Sequence, residues 1–167
     1  MLRGTDAVYA RPAPDGVGHQ PEWCLDCAAT NHHVPDTSSL VMEPRTGPEV
    51  SVMGLGGTQT LATNGVAMLR GENGLGGDAW LKLDPAYVTP SVDVGIVSSG
   101  QLQQRGYSTH LQGAGFFISS KQCTCIEDKD KLLVGTLSPV TLRYVFASQG
   151  RGGNVGELST RQDGSAL

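Results

Sequence analysis

Trp23-Cys24-Leu25-Asp26-Cys27-Ala28-Ala29-Thr30-Asn31-His32 sets one carboxylate between an apolar lead-in and a run of small residues. Trp23 and Leu25 flank Asp26 on its N-terminal side, and Ala28-Ala29 let the backbone turn closely before a polar run begins. The pattern predicts a short strand over Glu22 to Thr30 that presents Asp26 in a tight bend at its end. Asn31 to Asp36 then reads as loop, and Thr37 to Leu40 as a brief turn or one helical turn.

On the C-terminal side, Glu49 to Met53 alternates apolar and polar residues and is rich in β-branched side chains, which predicts a strand. Gly54-Leu55-Gly56-Gly57 follows as a flexible tip. Thr58 to Ala62, Gly65 to Leu69, Ala79 to Leu83, Ala86 to Thr89 and Ser91 to Ser98 continue the β pattern. Ser98 or Ser99 is placed to cap a short helix over Gly100 to Arg105, stopped by Gly106. Tyr107–Leu111, Gly115–Ser119, Gln122–Ile126, Leu132–Gly135 and Leu142–Phe146 predict further short strands. Such spacing, with turn signals between, indicates an all-β sandwich or barrel. Residues 1–20 read as a disordered leader, 21–147 as the folded domain, and 148–167, rich in Gly, Ser and Gln, as a disordered tail.

Composition narrows the function. The chain has 167 residues, a net charge of −4 and 17% charged residues, which argues against a module that binds nucleic acid by neutralising phosphates. Gly and Pro number 23 and 9 without a fixed period, so turns are frequent and collagen is excluded. No apolar run reaches a membrane span, and no basic-then-apolar leader marks a signal peptide. The simplest reading is a cytoplasmic protein whose 4 cysteines are reduced thiols or ligands more often than disulfides.

The opening stretch resembles the W-x-L-D-[ST]-G-A-T-N-H segment of the protease region in copia-type LTR retrotransposon Pol polyproteins. Further pieces follow in order. Val50-Ser51-Val52-Met53-Gly54-Leu55-Gly56-Gly57 is similar to V-x-V-G-D-G, and Thr63-Asn64-Gly65-Val66-Ala67 falls where the family has G-x-G-x-V. Tyr87 to Val92 is similar to Y-x-P-x-L, and Ile96 to Leu102 to L-[LI]-S-[VL]-[GS]-Q-L. Arg105 to His110 and Asp128 to Leu133 continue in register. The resemblance covers about residues 21–146.

The resemblance implies a closed β-barrel of the retropepsin kind with one short helix. It implies an aspartic endopeptidase that processes a polyprotein, ancestrally within virus-like particles, without a cofactor or metal. Each chain gives one acid, here Asp26, so activity requires a homodimer acting on a peptide or polyprotein substrate. Cys27, Ala28, Ala29 and Thr30 correspond to the active-site loop. Gly54, Gly56 and Gly57 correspond to a flap that closes over substrate.

The chain also departs from the family. Cys27 stands where a Ser or Thr hydroxyl bonds across the dimer, and a thiol is a weak donor. Ala28 stands where the family has Gly; if the backbone there needs positive φ, Ala costs about 1 kcal/mol or more. The flap segment lacks the family's Asp. Together these changes predict a domain with weak or no protease activity, and the alternative is a non-catalytic interaction or structural fragment.

Other groupings carry less. Cys24-x-x-Cys27, His32, His33 and Cys123-x-Cys125 suggest zinc, but Cys24 and Cys27 face opposite ways if the strand persists. His32 falls on the family's N-H pair and reads as a structural loop histidine. Asp93-Val94-Gly95 mimics a second acid motif where none is required. A small OB-like barrel that binds nucleic acid is disfavoured by the acidic balance and the 3 Phe.

Overall fold

The computed structural model describes residues 8–9, 19–54, 57–122 and 125–147. The expected leader and tail therefore lie largely outside the described residues, as do Leu55, Gly56 and Cys123. Strand β1 is Val8–Tyr9, β2 Trp23–Asp26, β3 His32–Val34, β4 Arg45–Gly54, β5 Gly57–Glu72 and β6 Asp78–Val88. After these come β7 Gly95–Ser98, helix α1 Ser99–Gln104, β8 Ser108–Gln112, β9 Gly115–Ser119, β10 Leu133–Leu137 and β11 Tyr144–Phe146. Short 3₁₀ turns cover Thr37–Ser39 and Asp128–Asp130.

All eleven strands belong to one mixed sheet, ordered β4-β5-β6-β3-β7-β2-β11-β10-β9-β8, with β1 added to β6. The fold is mostly β, as the sequence indicates, but it is not the expected closed barrel. Closure needs the two outer strands to pair, and β4 and β8 have one neighbour each. Both are built as edges. β4 carries Pro48, which has no N–H for a ladder, at a break in its register between Thr46 and Val50. Its Arg45, Glu49, Ser51 and Met53 are exposed, and β8 ends in exposed Leu111 and Gln112.

Alternation along the strands builds the core. Ala67 and Leu69 of β5, Leu81 and Leu83 of β6, Val97 of β7 and Ile118 of β9 are all fully buried. Leu102 of α1 and Leu133 of β10 join them. Phe116 stands edge-on to Phe146 at 4.8 Å and to Tyr144 at 5.7 Å, a favourable ring geometry. Among the described residues no helix is long and apolar enough to cross a membrane.

Several local expectations are revised. β5 is one long strand where two were expected, its register shifting between Gly65 and Ala67. His32 and His33 are strand residues and buried, not loop, because β3 is enclosed between β6 and β7. The described residues of Gln122–Ile126 form no strand; the charged 3₁₀ turn Asp128–Asp130 follows them.

Candidate functional site

Asp26 is the last residue of β2, and β2 runs parallel to β7 with Asp26 opposite Ser98. The bend beyond it is held by the acid itself. Asp26 Oδ1 accepts from the backbone N–H of Ala28 at 2.7 Å and of Ala29 at 3.2 Å, the turn a short carboxylate side chain favours. Helix α1 clamps the far side. The Ser98 hydroxyl donates to the Ala29 carbonyl at 2.6 Å and accepts from Gln101 N–H at 3.1 Å, capping the helix. Gln101 Nε2 donates to the Thr30 carbonyl and to Asn31 Oδ1, each at 3.1 Å.

The loop opens on a cavity of about 660 Å³. Asp26, Ala28, Ala29 and Thr30 line one wall. The β4–β5 hairpin lines it as well, through Ser51, Val52, Met53, Gly57 and Gln59. Gly54 pairs with Gly57 at the hairpin end, and Gly57 has φ of +102°, a conformation glycine adopts without steric cost. Gly56 lies outside the described residues. Ser91 donates to Gln59 Oε1 at 2.9 Å and ties the hairpin to the turn after β6.

Two buried residues that sequence reading did not assign to the site complete it. His33 and Thr89 both line the cavity and are 4% and 2% exposed. His33 Nδ1 lies 2.9 Å from Thr89 Oγ1. Burial holds the His33 imidazole below its ordinary pKa and the neighbouring His32 adds to this, while the Asp26 carboxylate pulls the other way. The adjacent histidines looked polar enough for a loop, and nothing local marked β3 as a strand covered on both sides. His32 is fully buried, with Nδ1 accepting from Ser98 N–H at 3.0 Å. It is a structural histidine of the strand pair beneath the acid.

The departures from the family pattern fall in different places. Cys27 is exposed and lines a separate depression of about 430 Å³ with Ser99, Gln103, Ser108 and His110. Ala28 takes no left-handed backbone: among the described non-glycine residues only Leu142 has positive φ, at 55°. The strain anticipated at Ala28 is therefore absent, and what the residue adds is a methyl group in the cavity wall. Cys24 is buried in the sheet, and desolvation, with Glu22 nearby, pushes its thiol up to about 11. Among the described residues no three His, Cys, Asp or Glu side chains converge to hold a metal ion. Asp93 lies away from the cavity wall and pairs with Arg143 at 3.3 Å.

No family model matches the chain, and no curated protein or solved structure matches it.

Proposed function

We propose that the chain is one half of an aspartic endopeptidase site of the copia-retrotransposon kind, ancestrally polyprotein-processing and now catalytically impaired. The observation that carries this reading is the placement of Asp26. It ends a buried parallel strand in a clamped bend, and it lines, together with the β4–β5 hairpin, a cavity large enough for a peptide side chain and backbone.

A single carboxylate cannot perform the reaction, so the working unit is two copies. Two carboxylates brought close share one proton, because both cannot ionise cheaply. The charged member takes a proton from water and the neutral member donates to the scissile carbonyl. The titration then belongs to the pair. Impairment follows from Cys27, which offers a thiol where the family uses a hydroxyl, and from the Ala28 methyl on the cavity wall. The reading makes the protein cytoplasmic, with a peptide as substrate.

The test is repair. The Cys27→Ser, Ala28→Gly double variant is assayed against a peptide library alongside the native chain, with solution mass measured by sedimentation. The repaired chain is expected to dimerise and cleave at least tenfold faster than the native one. Adding Asp26→Asn abolishes cleavage while keeping the fold, since the Asn Oδ1 still accepts the two turn N–H groups. A repaired dimer that stays silent, or cleavage that survives Asp26→Asn, overturns the reading.

A further inference from the structure

The His33–Thr89 pair has chemistry that the acid site does not use. Thr89 Oγ1 lies 3.3 Å from the Tyr87 carbonyl, which can only accept and so offers the hydroxyl proton a partner. With the hydroxyl proton there, the same oxygen, 2.9 Å from His33 Nδ1, accepts from the ring; this is the tautomer with its proton on Nδ1, the one on which the inference below is built. Nε2 is left as a lone-pair acceptor, and it makes no hydrogen bond to any other described residue. Nε2 is not among the buried side-chain atoms left without a partner, so it is open to the cavity that His33 lines, where a ligand's donor can take the place of water.

We infer that His33, held by Thr89, is a specificity-determining residue that selects peptides with a neutral hydrogen-bond donor, a hydroxyl or an amide, on the side chain entering this part of the cavity. The inference rests on the peptide-binding reading above. The cavity is lined by Val52, Val92 and Ile96 as well as by Asp26; a neutral donor leaves the Asp26 carboxylate to its partner acid, and burying a hydroxyl or an amide costs less than burying an ammonium ion. Thr89 acts through His33 and is a positioning residue. Without its hydroxyl the ring is free to place its proton on either nitrogen.

The probes are non-cleavable peptides with a hydroxyethylene group in place of one amide, compared position by position as Thr/Val and Asn/Leu pairs of matched shape. Binding to the full chain is measured by calorimetry. At one position the Thr and Asn peptides are expected to bind about tenfold tighter than their apolar partners, the scale of one buried hydrogen bond. His33→Leu removes that preference, with circular dichroism and the urea midpoint reporting that the variant is folded. Thr89→Val also removes it and Thr89→Ser retains it. Nitrogen NMR of the unliganded native chain reads the tautomer without any variant, and a proton on Nε2 overturns the inference. Equal binding of matched peptides overturns it while leaving the proposed function standing. Failure of every peptide to bind overturns both.

Discussion

Ser98 and Asp26 stand opposite each other at the ends of two parallel strands, and the serine fixes the bend that the aspartate begins. Asp26 ties down the backbone N–H groups of Ala28 and Ala29. Ser98 holds the Ala29 carbonyl and, through the same oxygen, starts helix α1. One hydroxyl therefore couples the acid loop to the only α-helix among the described residues. The acid's position depends on a side chain 72 residues further along the chain.

Ser98→Ala removes a helix cap and leaves the half-buried Ala29 carbonyl without its donor. Each loss costs about 1 kcal/mol, so the variant is expected to lose about 2 kcal/mol in urea unfolding. A loss below about 0.5 kcal/mol, the range of surface substitutions, shows that the clamp does not hold the loop.

Ala28→Gly, taken alone, is expected to destabilise. Because Ala28 avoids positive φ, glycine relieves no strain there and only frees the unfolded chain, a cost of about 0.4–1 kcal/mol. A stabilised variant would mean that the native backbone at this position is left-handed. The expectation from sequence alone runs the other way, because a family pattern with glycine implies a backbone that this chain does not adopt.

What was legible in the sequence, and what was not, follows from the reach of each interaction. The acid bend could be read because Asp26, Ala28 and Ala29 are near neighbours whose turn is local. The α1 cap could be narrowed to Ser98 or Ser99 for the same reason, and it is Ser98. Closure of the sheet could not, since it depends on whether β4 and β8, at opposite ends of the strand order, ever meet. Pro48 was a usable sign, as a residue without an N–H at the site of a broken ladder. His33 and Thr89 were hidden because their partnership spans 56 positions, and because β3 is buried between two strands whose register no local pattern reveals.

The thiols are expected to divide by environment. Iodoacetamide should label Cys27 and Cys125 in the native protein, as both are exposed. Cys24 should stay unlabelled until denaturant is added, since its thiol is buried and pushed up to about 11, and the thiolate is the reacting form. Mass spectrometry of tryptic peptides along a labelling time course distinguishes them. Early labelling of Cys24 would show that β2 is not enclosed between β7 and β11.

Acid should weaken the fold first through His33. In the unfolded chain its ring takes up a proton as pH falls through 6.5, whereas in the folded chain burial keeps it neutral to lower pH. The unfolded state then binds more protons, so stability falls as pH falls below 6.5 and levels off once the folded ring also protonates. Asp36 and Asp130 act in a different window. Their folded carboxylates are held below 3.8 by Ser38 and by Lys121 respectively, so what they contribute is lost only at more acid pH. His33→Asn keeps an amide N–H for Thr89 but cannot titrate. Urea midpoints between about pH 5 and 7 should slope for the native chain and be nearly flat for this variant. Equal slopes would place the titrating group elsewhere and leave His33 without the enclosure on which its low affinity for a proton depends.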